Sequence, residues 1–346
     1  MTTPFTEATA NSGQLVVRKA DSLSQTEITS WLRALRGHPH VPGSGFDVTA
    51  VFKAQSAGGE AFYFAGVNAE NFDNRLGTHA EEGAIAAMAT ALGKSAIIKE
   101  GWVMAAPKGL QAPSESPMAN IKVPCCGNCR QRIVGFTPSA STLIHSVSLN
   151  GDEDIFTMRE LLTGPFSFRD FAPELQQEFN ARAGATESLS QEDALRRLVR
   201  PAADLHGAEI FSWLSGLESV DFASKTCHSA IVRLTNGYAV AGVKTEDAAY
   251  TGTNSIQSAL AIATTLFGDV GVEEVWCLGS GREERAFSRQ AVQPLPLSAI
   301  QTLGEFAQGR NIPVHLFNAA GRKKTLCLNE TVALMPTFTA PRAPAA

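Results

Sequence analysis

At 346 residues the chain is long enough for two domains of ordinary size, each with its own core. Its 44% apolar and 18% charged residues give a soluble globular composition, and no run approaches the roughly 18 consecutive apolar residues of a membrane span. The formal net charge of −5, with Lys and Arg neither in excess nor clustered, argues against nucleic acid as a partner and for a small uncharged one.

Residues 1–8 carry neither a basic stretch nor an apolar core, so secretion is not expected and the cytoplasm is the expected compartment. Residues 1–14 are polar without periodicity and read as a loose arm. Ile28, Trp31, Leu32 and Leu35 recur at helical spacing between a Ser24 or Thr26 cap and Gly37, which predicts a core-facing helix over 24–37. Alternating apolar residues predict a hairpin, 46–52 and 61–67, across the Gly58-Gly59 turn. A helix follows over 79–91 and stops at Gly93; its many small residues let it lie close against a sheet. A strand at 101–106, a Pro-, Ser- and Gln-rich loop at 107–122, a helix at 130–136, a strand at 143–149 and a short helix at 157–162 complete the order α-β-β-α-β-α-β-α. That is one three-layer α/β domain.

Beyond a charged, polar linker and a helix predicted over 193–199, the second half repeats the first. Strands at 229–234 and 238–243 across Asn236-Gly237 mirror the earlier hairpin. Lys244-Thr245-Glu246-Asp247 matches Asn68-Ala69-Glu70-Asn71, and Gly252-Thr253-Asn254-Ser255-Ile256 lines up with Gly77-Thr78-His79-Ala80-Glu81. A strand at 273–278 and a helix at 297–307 restore the later elements. The Pro/Ala-rich tail at 336–346 is expected to be disordered.

Two stretches carry chemistry: Gly77-Thr78-His79-Ala80-Glu81 and Pro124-Cys125-Cys126-Gly127-Asn128-Cys129. One His and a Cys-x-x-Cys pair are the three protein ligands that a catalytic zinc uses while water keeps the fourth position. Glu81, two residues past His79, can lie beside the metal without binding it, where a proton shuttle is needed. Alone, each stretch has a plainer reading. Thr78-x-x-Glu81 ahead of an apolar run is also a capping box, and Cys126-x-x-Cys129 also fits a redox pair or two buried thiols. Together, opening two predicted helices, they favour zinc, one ion per chain. The remaining cysteines, Cys227, Cys277 and Cys327, are scattered singly and suit free thiols better than a disulfide framework. In the second half Asn254 replaces the His, Ile256 replaces the Glu, and no Cys-x-x-Cys follows residue 129.

The chain resembles the cytidine deaminases, in particular the bacterial two-domain homodimeric type, whose active domain is followed by a degenerate copy. The likeness rests on His-Ala-Glu at 79–81, Cys-Gly-Asn-Cys-Arg-Gln at 126–131, Gly-Val-Asn-Ala-Glu at 66–70 and Thr-x-x-Glu-Leu-Leu…Phe at 157–166. It is strong over about 46–171 and weak over about 229–317. It implies an α/β class, a three-layer α/β/α cytidine-deaminase-like fold duplicated in tandem. The units would be an N-terminal arm (1–20), a catalytic zinc deaminase domain (21–171), a linker (172–192), a degenerate domain (193–335) and the tail (336–346).

The resemblance further implies zinc held by His79, Cys126 and Cys129, with Glu81 as general acid/base. Asn68 and Glu70 would hydrogen-bond the ribose, Phe46 would stack on the pyrimidine, and the Ala80 amide would meet the base carbonyl. Phe166 would reach the ring from the partner subunit of a homodimer. The implied reaction is hydrolytic deamination of cytidine and deoxycytidine with release of ammonia, in pyrimidine salvage. Two departures keep alternatives open. An extra residue after Pro124 leaves Cys125 as a possible ligand in place of Cys126, and the 107–122 loop could cap the pocket and admit a modified cytosine nucleoside or a cytosine-bearing antibiotic. A non-catalytic zinc or nucleoside-binding protein is the third reading, against which Glu81 argues.

Overall fold

The computed structural model describes residues 13–332, apart from 57, 138, 169–171, 175–187, 222–225, 250 and 281–291. The expected tail at 336–346 and most of the expected arm and linker lie outside the described residues.

Six strands make the first sheet: β1 (Val17–Lys19), β2 (Phe46–Gln55), β3 (Ala61–Val67), β4 (Ile97–Pro107), β5 (Leu143–Val147) and β6 (Glu153–Thr157). Their order is β1-β3-β2-β4-β5-β6, antiparallel except for β4 and β5. That parallel pair needs a crossover, supplied by helix α3 (Gly127–Val134), which therefore packs on a face of the sheet. On the opposite face α1 (Gln25–Leu35) buries Ile28, Trp31, Leu32 and Leu35 against Val51, Tyr63, Trp102 and Met104. α2 (Ala80–Leu92) lies on the same side as α3 and buries Ile85 and Met88 with Phe52, Phe62 and Phe64. Close approach of α2 to β3 depends on Gly66, where a Cβ would stand 2.2 Å from the Ala80 carbonyl oxygen. A short α4 (Met158–Leu161) closes the unit, with Thr157 and Glu160 as its capping box.

The sequence reading placed an arm over 1–20 and found neither edge strand. β1 pairs antiparallel with β3, Val17 opposite Phe64, so the end of that arm is part of the sheet. Three residues are too few for a period of two to register. β6 opens on Glu153 and the exposed Asp154, charge of the kind that blunts an edge, and its Glu-Asp-Ile-Phe-Thr carries no apolar alternation. The helix expected at 130–136 begins at Gly127, because Cys126 is its extended cap.

The second half repeats this plan. Strands β7 (Val199–Pro201), β8 (Cys227–Leu234), β9 (Tyr238–Val243), β10 (Val272–Ser280), β11 (Pro313–Phe317) and β12 (Lys323–Cys327) take the order β7-β9-β8-β10-β11-β12, parallel only between β10 and β11. Helices α5 (Gln191–Leu198), α6 (Gly207–Ser215), α7 (Ser255–Phe267), α8 (Leu297–Phe306) and α9 (Leu328–Thr331) accompany them. α6, absent from the sequence reading, is the counterpart of α1. Trp31 donates to the Leu15 carbonyl at 2.9 Å under Arg18, and Trp213 donates to the Arg197 carbonyl at 3.1 Å under Arg200. The architecture is thus a three-layer α/β/α fold present twice.

α2 packs on α7 between the sheets, and the contacts are exchanged reciprocally. Val67 N–H donates to Thr265 Oγ1, and Val243 N–H donates to Thr90 Oγ1, each at 3.3 Å. Such exchange is the mark of a two-fold interface, here within one chain. No helix among the described residues is long and apolar enough to cross a membrane.

Candidate active site

The site sits where α2 and α3 begin side by side. His79 is extended (φ −77, ψ 160), and its backbone N–H donates to Glu82 Oε2 at 2.8 Å. The cap is therefore one residue later than the Thr78–Glu81 box, and Glu81 is left free of capping. Glu82 also accepts from Asn128 Nδ2 at 3.2 Å and faces Arg132 at 3.7 Å, so one carboxylate joins both helix starts. Arg132, 1% exposed, reaches on into the second half, donating to Thr245 Oγ1 at 2.9 Å and to the Thr251 carbonyl. Glu82, Asn128 and Arg132 were missed from sequence. The trace was there, in a Glu three residues after His79, but the similar Thr78/Glu81 spacing masked it.

His79 Nδ1 lies 3.3 Å from Cys126 Sγ and 3.2 Å from Cys129 Sγ. Their donor atoms all fall within 4.8 Å of one another, the one such His/Cys/Asp/Glu group among the described residues. Cys125 is not in it; it is 1% exposed and packed beside Glu81, and burial pushes its thiol well above the ordinary range. Hydrogen bonds from Cys129 and His79 hold the Cys126 thiol down, to about 3. The same bond to Cys126, with burial, pushes Cys129 up. His79 is raised to about 9 by its bond to Cys126, which outweighs burial. An imidazole and two sulfurs at this separation, with two positive helix ends behind them, suit a borderline-soft divalent cation. Glu81 is 3% exposed, and burial raises its carboxyl above the usual range, against the pull of its own backbone amide and His79.

A cavity of about 630 Å³ opens in front of the cluster, walled by His79, Ala80, Glu81, Cys126, Asn68 and Glu70 among others. Asn68 is braced on β2, its Oδ1 accepting from Val48 N–H at 2.8 Å and its Nδ2 donating to the Phe46 carbonyl at 3.0 Å. Glu70 Oε2 accepts from the amides of Gly43 (2.8 Å) and Ser44 (3.0 Å). Burial works to raise its carboxyl, but these bonds prevail and hold it low. Two expected contacts are not on the cavity wall. Phe46 stands on β2 beside it, and Phe166 is 51% exposed, its backbone bonded both ways to the Gln131 side chain. None of residues 107–122 lines the cavity either. Their carbonyls at Pro107 and Leu110 are held by Arg36 at 2.7 and 2.6 Å, and Asn150 donates to the Ser114 carbonyl at 2.8 Å, which fastens the loop to α1 and the β5–β6 turn.

No family model matches the chain. A curated cytidine deaminase from Mycoplasma pneumoniae is 33% identical over 135 residues, which is 39% of this chain and 88% of that protein. The chain belongs to the cytidine deaminase family. Among solved structures, cytidine deaminases from Burkholderia pseudomallei and Mycobacterium leprae match at 21% and 19% identity. They cover 42% and 41% of this chain and 100% of theirs, with TM-scores of 0.32 and 0.30.

Proposed function

We propose that the chain deaminates cytidine and deoxycytidine hydrolytically, with one zinc ion held by His79, Cys126 and Cys129. The observation that carries this reading is the convergence of those three donors, with His79 and Cys126 on the wall of a nucleoside-sized cavity and a buried carboxylate two residues from His79. Zinc bound there supplies the Lewis acidity that makes a neighbouring water nucleophilic near neutral pH. Glu81 takes a proton from the water that adds to C4 and passes it to N3. It then carries the second proton to the departing amine, so cytidine and water become uridine and ammonia. Its buried position, with a carboxyl held above the ordinary range, suits a group that must both accept and return a proton.

Asn68 and Glu70 hold the ribose, both on the cavity wall. The Ala80 amide meets the base carbonyl. Phe46 stacks on the base; it shares a face of β2 with the cavity-lining Val48, two residues on. Phe166, exposed beside the cysteine helix, completes the pocket of a partner chain in a homodimer. Residues 21–171 are the catalytic domain and 193–335 its degenerate copy, in a cytoplasmic enzyme of pyrimidine salvage.

Incubating the zinc-loaded protein with each nucleoside, and following ultraviolet absorbance and ammonia, tests the reading. Turnover is expected with about one zinc per chain, lost on chelation and restored by zinc. Zinc-loaded protein that turns over neither nucleoside overturns it.

A further inference from the structure

The second repeat has a cavity of its own, of about 560 Å³, in the same place in the fold. Part of its wall matches that of the first, residue for residue. Asn254 and Ile256 stand at the start of α7 where His79 and Glu81 stand at the start of α2, and Lys244 and Glu246 leave β9 where Asn68 and Glu70 leave β3. His228 occupies the place of Val48, as the backbone records: Lys244 N–H donates to the His228 carbonyl at 2.9 Å, and Asn68 N–H to that of Val48 at 3.2 Å.

A repeat that has lost its metal ligands and serves only as scaffold has every reason to fill such a space. Protein interiors pack densely, and an open apolar void lowers stability. Here the space is open, and a few polar side chains, His228, Lys244 and Glu246 among them, stand on an otherwise largely apolar wall. Asn254 spends Oδ1 on the helix amides and Nδ2 on Gln257 and Ser298, so it takes no part in ligand chemistry. Lys244 and Glu246 pair at 2.5 Å, which leaves the wall with no net charge to attract an anion or a cation. The His228 ring has no hydrogen bond among the described residues, and burial, helped by Lys244, lowers its pKa to about 4. It is a neutral imidazole with one donor and one acceptor. A volume of this size, few polar groups and apolar walls such as Ile256 and Leu295 fit a small neutral heterocyclic ligand.

We propose that the second cavity is a non-catalytic binding site for a neutral nucleoside, contacted by His228 and the Lys244–Glu246 pair. The ligand class rests on reading the first cavity as a nucleoside site; the existence of a second site does not. Uridine, the product, is the probe, because it binds without being converted. Calorimetric titration of the zinc-loaded full chain is expected to give two equivalents of uridine per chain. His228→Phe keeps the ring and removes its nitrogens, and Lys244→Gln breaks the ion pair. Each is expected to weaken one equivalent by about tenfold, the effect of a lost hydrogen bond. Glu70→Ala should weaken the other. Circular dichroism and the melting temperature establish that each variant is folded.

A single equivalent, lost in Glu70→Ala and untouched in both second-site variants, overturns the second site while the proposed function stands. A single equivalent lost in His228→Phe, in a protein that turns over no cytidine, sustains the second site and removes the reading of the first. No uridine binding by a protein that turns over cytidine overturns the second site.

Discussion

The two repeats place different residues at the same helix start, and the difference is whether the side chain there turns to the helix or to the neighbouring cysteines. Asn254 caps α7 with its own side chain, its Oδ1 accepting from Ile256 N–H at 3.0 Å and Gln257 N–H at 2.9 Å. His79 makes no side-chain cap; its ring turns to the two sulfurs, and Glu82 steps in for the backbone. A residue at that position can serve its helix or the site in front of it. The scaffold, down to the matching glycines Gly66 and Gly242 at the closest strand–helix approach, is indifferent to which.

Substitutions at the matched pair Glu81 and Ile256 should separate the repeats most widely. Glu81→Gln is expected to lower kcat by about 10³-fold or more while zinc content stays at one per chain, since in the proposed reaction one carboxylate serves every proton transfer. Ile256→Gln should leave kcat within twofold. Equal loss in both, measured as turnover alongside metal analysis, would erase the functional distinction between the halves.

Arg132 probes the connection between them. It is buried among Glu82, Asp247, Thr245 and the Thr251 carbonyl, so Arg132→Ala strands two buried carboxylates from opposite repeats. The expected cost is about 3–5 kcal/mol of stability by denaturant unfolding, with activity falling too because Glu82 holds both helix starts. A cost under about 1 kcal/mol would mean that Arg132 adds little to the coupling that contacts such as Lys94–Asp221 and Gln257–Leu76 already provide.

How much of this was open to a reader of the sequence follows from the length scale of each interaction. Elements defined by local periodicity, such as α1 with Ile28, Trp31, Leu32 and Leu35, were legible to within two residues. The duplication was legible too, because it repeats a local pattern. β1 and β6 were not, since a three-residue strand and a charged edge carry no period. α6 had a pattern in Ile210, Trp213 and Leu214, but it is only nine residues long and opens on Gly207, a weak start signal. The Thr90 and Thr265 bonds, and Arg132, span 153, 198 and 113 residues, and nothing local announces them. In the site, the donor trio and the place of Glu81 beside it were legible from spacing; that Glu82 makes the cap was not.

Asn254 gives a smaller effect in the opposite sense. Asn254→Ala should cost about 1 kcal/mol, the usual effect of losing an N-cap, whereas His79→Ala should cost the zinc-free protein less, because Glu82 carries the cap there. Unfolding of both variants without metal measures it, and the reverse order would contradict the division of labour between the two helix starts.

The smallest expected effect lies at the far edge of the sheets, where a second matched pair differs by one carboxylate. His145 stacks on Trp102 and lies between Glu100 (2.9 Å) and Glu153 (3.0 Å). His315 stacks on Trp276 but meets Glu274 (2.8 Å) and the hydroxyl of Thr325 (2.9 Å). Burial acts to lower the pKa of His145, yet the bonds to Glu100 and Glu153 outweigh it and the net direction is up. A histidine whose folded pKa is raised stabilises the fold below its unfolded value of about 6.5, and that contribution is lost as pH rises through the folded value. The melting temperature should therefore decline as pH rises above about 6.5, by less than about 3 °C from this group. His145→Gln should remove that decline from the difference between the two melting curves. Parallel curves across the window would show that the second carboxylate, for all its proximity, does not distinguish the repeats in solution.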